Sequence, residues 1–158
     1  MGVGWGYDVH RLDAEPPLKL GGVVVSETVG VTATSDGDVV AHAVTDALLG
    51  ASVLGDMGTH FPSGDPAMTG ADSMALLRQA VAMARESGWI PAHVDVTVVA
   101  ESVRVAPHRS DIASGLAGAL DLPVEAVSVK ATTTDGLGFV GRGEGIAAVA
   151  VMTVVARS

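Results

Sequence analysis

The 158-residue chain has no cysteine. Disulfides, thiolate metal sites and a cysteine nucleophile are thereby excluded, and no oxidising compartment is indicated. Aromatic residues are scarce, at two Trp, one Tyr and two Phe. A core must therefore come from Val, Ala and Leu, and 48% hydrophobic against 17% charged residues supplies enough of them. Basic residues are few, 9 against 18 acidic ones, for a formal charge of −9. That balance argues against a nucleic-acid partner, whose backbone calls for a basic stripe. A phosphate ligand would need metal ions or a few placed cations to neutralise it. No long apolar run exists either. The stretch from Ile146 to Ala156 is broken by Thr153 and falls far short of the ~20 residues that span a bilayer. The opening residues lack the basic and apolar regions of a targeting segment, so a soluble cytoplasmic protein without a membrane partner is expected. The length predicts a single domain, 1–158.

Residues 3–10 alternate, with Trp5, Tyr7 and Val9 on one side and Gly6, Asp8 and His10 on the other, as in a half-buried strand. Residues 18–27 read as a hairpin turning on Gly21-Gly22. A helix is predicted from about Asp38 to Leu54, and a long, mobile loop over 57–71, where Gly and Pro are dense. A second helix over 73–87 has Asp72 or Ser73 as its N-cap and Gly88 past its end. A strand follows at 93–101, then a third helix with Pro107 at its first position. Two strands close the chain, 127–133 and 145–156. The last is apolar on both faces, and three helices suffice to cover one side of a sheet. The other side is expected to pack against further copies of the chain.

Two segments concentrate chemistry. Asp8 and His10 leave the same face of one strand, and His42 lies early in the first helix. Two His and a carboxylate suit a catalytic zinc-type site with one open position, although such residues are also common as structural histidines and solvated acids. Asp38 and Asp46 stand four residues to either side of His42 on one helix face, and Asp46 is placed to orient the histidine. The second segment, KATTTDGLGFVGRGEG (130–145), offers three hydroxyls, a carboxylate, glycines and an Arg. It fits a phosphate cradle, or equally a Thr-rich strand running into a Gly turn. No GxxxxGK[ST] loop is present.

The stretches GYDVHRL, SDGDVVAHAVTDALLGASVLGDMG, FPSGDP, GADS, VDVTVVAE, PH and VKATTTDGLGFVGRGEGIA closely resemble the 2-C-methyl-D-erythritol 2,4-cyclodiphosphate synthase family, in unbroken order from about Gly4 to Ala148. The resemblance implies an α/β (α+β) fold, a mixed sheet with helices on one face and the sheets packed around the axis of a homotrimer. It implies that 4-diphosphocytidyl-2-C-methyl-D-erythritol 2-phosphate, a small cytidine diphosphate substrate, is converted to the 2,4-cyclodiphosphate and CMP in non-mevalonate isoprenoid biosynthesis. The 2-phosphate would attack the β-phosphorus in line, so no protein nucleophile is required.

Carried over by position, the resemblance gives Asp8, His10 and His42 to Zn or Mn, with Val9 between them against the substrate. Asp135 would hold Mg or Mn bridging the substrate phosphates, beside Thr132, Thr133 and Thr134. Thr133 and Thr34 would act on the transition state, with Ser35 next to Thr34. Asp56, Met57 and Gly58 would take the ribose. Phe61, Pro62, Ser63, Gly64 and Asp65 would cover the methylerythritol. The cytosine pocket would be Ala100, Glu101, Ser102, Val103, Arg104, Val105 and Ala106. Phe139 and Arg142 fall near the trimer centre and count among the substrate-binding residues, although Arg142 could instead serve a diphosphate in a central cavity. Four departures from the family's pattern stand out: Thr34 for His, Ser63 for Asp, Asp135 for a common Glu, and the pair Val103-Arg104 for a frequent Pro-Lys. His60 is a candidate to replace the cation missing at Thr34, or a solvated loop histidine. The same metal set would also suit a nucleotide-diphosphate hydrolase, and a non-catalytic cytidine- or isoprenoid-diphosphate-binding trimer is a third reading.

Overall fold

The computed structural model describes residues 1–157. Its strands are β1 (Gly2–Ala14), β2 (Leu18–Leu20), β3 (Val23–Ser26), β4 (Gly30–Thr32), β5 (Trp89–Val99), β6 (Val127–Thr132) and β7 (Gly145–Ala156). The helices are α1 (Val39–Ala51), α2 (Met57–His60), α3 (Ser73–Glu86), α4 (Arg109–Leu120) and α5 (Gly138–Gly141). Five strands form one mixed sheet in the order β4-β1-β7-β5-β6, while β2 and β3 form a separate hairpin. Only β5 and β6 run parallel, and α4 makes the crossover that a parallel pair needs.

Period-two alternation decides what each face does. Ile146, Ala148, Ala150, Met152 and Val154 of β7 are all fully buried beneath the helices. On the opposite face Val151 and Val155 are exposed, and β1 extends that apolar surface with Val3, Trp5, Tyr7 and Val9. Trp5 is 62% exposed and its ring stacks on that of Tyr7. The helices therefore cover one face, as expected, and leave the other bare. Toward β5 and β6 the open face turns polar, with Asp95 paired to Lys130.

Helix α1 lies flat on β1 because two glycines let it. A Cβ on Gly4 or Gly6 would overlap the carbonyl oxygen of Ala47 or Ala43. This close seat brings His42 of α1 down onto Asp8 and His10. The turn before α1 is equally determined. Asp38 is buried, and its carboxylate accepts the amides of Gly21 (2.8 Å), Gly22 (2.7 Å) and Ala41 (2.9 Å). Burial pushes its carboxyl up, against these amides, which favour the ionised form. One side chain thus caps the helix and anchors the hairpin.

Several boundaries differ from expectation. Asp38 is the cap of α1, and the helix stops at Ala51, where Val53 turns to φ 58°. Strand β5 starts at Trp89, accommodating Pro91 next to a register shift. Pro107 lies in a 3-10 turn (Ala106–His108) that precedes α4. Residues 57–71 form two short helical turns, α2 and Pro66–Met68, capped by Asp56 and Asp65. They are tied back by the amides of Gly70 and Asp36, bonded to the carbonyls of Thr34 (2.8 Å) and Ala71 (3.0 Å).

Candidate functional site

Asp8, His10 and His42 converge at one end of the sheet. Asp8 Oδ2 lies 2.9 Å from His42 Nδ1 and 3.1 Å from His10 Nε2, and those nitrogens lie 3.1 Å apart. Donors at about 2.0–2.1 Å from a tetrahedral zinc ion stand about 3.3 Å apart, so the three atoms have the spacing of a ligand triangle. Burial disfavours a charged Asp8. The hydrogen bonds and positive charge offered by the two histidines outweigh it and hold the carboxyl well below the usual range. One carboxylate and two imidazoles, partly buried and close enough to share one ion, form a possible metal-binding triad.

A cavity beside the triad is lined by His10, Thr34, Ser35, His42, Met57, Phe61 and Ser63. The structure thus gathers Thr34, Ser35, Phe61 and Ser63 around the triad, with Pro62, Gly64 and Asp65 on the exposed ridge beyond. Asp46 is not among the partners of His42. Its carboxylate accepts the amide of Met57 at 3.0 Å, which fixes the start of α2. His60 turns away from Thr34, its Nε2 bonding the carbonyl of Leu54 at 2.7 Å. Asp56 bonds the amide and hydroxyl of Thr59, and Gly58 next to it is exposed.

A second cavity of about 370 Å³ lies at the C-terminal ends of the paired strands β5 and β6. Ala100, Glu101, Val103, Arg104, Val105 and Ala106 line it together with Thr132 and Thr133, while Ser102 faces an adjoining hollow with Arg104. Glu101 accepts the amide of Thr134 at 3.2 Å and so ties the two walls together. The Thr133 hydroxyl lies 3.3 Å from Asp135 Oδ1 and accepts the Asp135 amide at 3.2 Å. Asp135 takes φ 52°, a left-handed conformation that Asp tolerates better than most residues. Phe139 lines a hollow with Val9 and His10, and Arg142 makes a two-pronged ion pair with Glu144 at 2.8 and 3.1 Å.

The triad and the threonine segment do not meet within one chain. His10 pairs with Ile146, Ala147 pairs with Val99, and Val99 pairs with Thr132. Triad and threonines are therefore at the same end of the sheet but three strand spacings apart, about 14 Å.

The model of the YgbB family matches residues 1–155. The 2-C-methyl-D-erythritol 2,4-cyclodiphosphate synthase of Salinibacter ruber is 52% identical over 154 residues, covering 98% of both chains. That of Pseudomonas aeruginosa is 51% identical over 157 residues, covering 99% of this chain and 100% of the other. Among solved structures, the bifunctional IspDF from Campylobacter jejuni superposes with a TM-score of 0.94 at 42% identity, over 97% of this chain and 42% of that longer one. The CDP complex of IspF from Plasmodium falciparum gives 0.85 at 31% identity, over 99% and 97%.

Proposed function

The chain belongs to the YgbB family, and we infer that it catalyses the cyclodiphosphate synthase reaction, releasing CMP from 4-diphosphocytidyl-2-C-methyl-D-erythritol 2-phosphate as the 2-phosphate closes on the β-phosphorus. The observation that carries this reading is the Asp8–His10–His42 triangle at the mouth of a cavity lined by Thr34 and Ser35. These three residues would hold a divalent ion, which would supply positive charge beside a substrate diphosphate. The remaining work is positioning and charge neutralisation, for which the chain provides donors. The hydroxyls of Thr132 and Thr133 face the second cavity and can donate to phosphate oxygens. Asp135 is a carboxylate, an acceptor that repels phosphate unless a cation lies between them. That suits it to a second ion, Mg or Mn, on the substrate. The apolar walls of Ala100, Val103 and Val105 fit a pyrimidine, with backbone groups left to read its edge. The ribose falls to Asp56, Met57 and Gly58, and the methylerythritol to the segment from Phe61 to Asp65.

A homotrimer is part of the same proposal. The triad and the threonines are about 14 Å apart in one chain, too far for one diphosphate to span, so a neighbouring copy must supply one of them. The bare apolar face on β1 and β7 is the surface that would bring copies together around an axis.

Turnover of the substrate with and without chelator, with product analysis, tests the chemistry. CMP plus a cyclic diphosphate supports it, a linear monophosphate indicates hydrolysis, and binding without turnover indicates a binding protein. Subunit mixing tests the assembly. At a Mg²⁺ concentration that is limiting for Asp135→Ala, His42→Ala and Asp135→Ala are each expected to show little turnover, but each supplies the half-site the other lacks. Randomly mixed trimers should regain about one quarter of the parental activity if each site draws on two chains. No recovery would place the whole site in one chain.

A further inference from the structure

The SDGD turn and the GADS turn carry polar groups that the reaction above does not use. The two ring nitrogens of His42 keep different company. Nδ1 faces the triad, 2.9 Å from Asp8 Oδ2. Nε2 points the other way, 2.8 Å from Ser73 Oγ and 3.1 Å from Ser35 Oγ. Ser73 is fully buried at the first position of α3, and its Oγ lies 2.5 Å from Asp36 Oδ1. The same carboxylate oxygen accepts the Ser73 amide at 3.3 Å, and Oδ2 lies 3.7 Å from Lys19 Nζ. Residues 37 positions apart are held together by the Asp36 amide bonding the Ala71 carbonyl.

With a cation on the Nδ1 side, the donors and acceptors favour one assignment, in which Ser35 Oγ is a second acceptor beside Nε2. A carboxylate only accepts, so the single proton of the Ser73 hydroxyl goes to Asp36. The free lone pairs of Oγ then accept, and what faces them is His42 Nε2. A neutral imidazole carries one N–H, and with it on Nε2 the Nδ1 lone pair is bare. We propose that Ser73 and Asp36 are positioning residues for the metal site, the serine–carboxylate pair fixing the ring plane and the Nδ1-ligating tautomer of His42. Lys19 balances the charge of Asp36 at the far end of the chain of contacts. Buried donors and acceptors behind a ligand commonly set its affinity.

This inference rests on the cation-site reading, and the experiment separates the two. Zn²⁺ or Co²⁺ is titrated into the metal-free full chain against a chromophoric chelator. The proteins are the parent, Ser73→Ala, Ser73→Thr and Asp36→Asn, with the Co²⁺ absorption bands recorded for each. Ser73→Ala should weaken binding about 10–100-fold and change the Co²⁺ spectrum. Ser73→Thr keeps the hydroxyl and should restore both, while Asp36→Asn should lie between parent and Ser73→Ala. If Ser73 only anchors α3, Ser73→Ala will lower the thermal midpoint of the metal-free protein and leave affinity and spectrum parental, which overturns the proposal. Should Ser73→Ala fail to fold, Asp36→Asn decides, and parental affinity there overturns it equally. A parent that binds neither ion overturns the cation-site reading and this inference with it.

Discussion

The triad and the threonine segment stand at the same end of one sheet and are held in opposite ways. Asp8, His10 and His42 project from regular elements, are partly buried, and bond to one another, with His42 held from behind by Ser73 and Ser35. Thr132, Thr133 and Asp135 are exposed where β6 has just ended, and they bond chiefly to one another. The first cluster is preorganised by the fold, through the glycines that seat α1 on β1. The second has hydroxyls exposed beyond its own bonds, and in the proposed trimer a ligand and a neighbouring copy would complete it. A site divided in this way would switch on only on assembly, with half of it ready beforehand.

The largest effect should follow from breaking the prepared half. His42→Ala removes one of three ligands and should eliminate both tight cation binding and turnover. The oligomer, which would rest on the opposite face of the sheet, should remain. Metal analysis and sedimentation of the purified variant check both statements. A variant that keeps its ion and its activity would remove His42 from the site.

The next effect tests how the preparation is achieved. Gly6→Ala puts a methyl group into the Ala43 carbonyl, so α1 must lift from β1. Overpacking of this kind costs about 1–3 kcal/mol, and cation affinity should fall with it because His42 rides on α1. Gly50→Ala, in the same helix, meets nothing within 4 Å and should stabilise by about 0.5–1 kcal/mol through helix propensity. Denaturant titration of both variants should show the two opposite signs. Equal signs would mean that the close seat of α1 does not determine the triad.

Sequence reading recovered the elements whose periodicity runs uninterrupted. Strand β7 has the expected bounds, 145–156, and α3 has its Asp72 cap and Gly88 exit. It failed where local signals compete with tertiary ties. Alternation placed the strand at 93–101, yet β5 begins at Trp89, with Pro91 absorbed next to a register shift. The Gly and Pro of residues 57–71 suggested mobility, yet Asp56 and Asp65 cap short turns there. Counting along a helix placed Asp38 and Asp46 beside His42, but helical position does not name a partner. Asp38 went to the hairpin amides and Asp46 to Met57. The true neighbour, Ser73, lies 31 positions from His42, and no spacing rule could have pointed to it.

A smaller effect belongs to the unfinished half. Asp135→Ala should raise the Mg²⁺ or Mn²⁺ concentration needed for half-maximal turnover by about tenfold or more, since a carboxylate ligand to a hard cation is lost. The cation bound at the triad should be retained. Kinetics at varied metal concentration, beside metal analysis of the resting protein, test the pair of outcomes. The same metal dependence as in the parent would free Asp135 of this role.

The smallest effect concerns Thr34 and His60. Thr34 offers one neutral hydroxyl where related chains would present an imidazole, and a hydrogen bond to a charged group contributes about 1.5–3 kcal/mol. Thr34→His should therefore speed turnover if the phosphate lacks a donor there. His60 was the sequence candidate to supply that donor. Its Nε2 is committed to the Leu54 carbonyl at 2.7 Å, and it does not line the cavity that holds Thr34. His60→Ala should then act only by loosening the turn that carries Met57 and Phe61, and that cost is the same whichever residue occupies position 34. In a double-mutant cycle the effect of His60→Ala in the parent and in Thr34→His should agree within about 0.5 kcal/mol. A much larger loss in the parent than in Thr34→His would show that His60 leaves Leu54 and swings toward the phosphate when substrate binds. Residues 57–65 would then belong with the threonine segment, as a part of the site that the ligand completes.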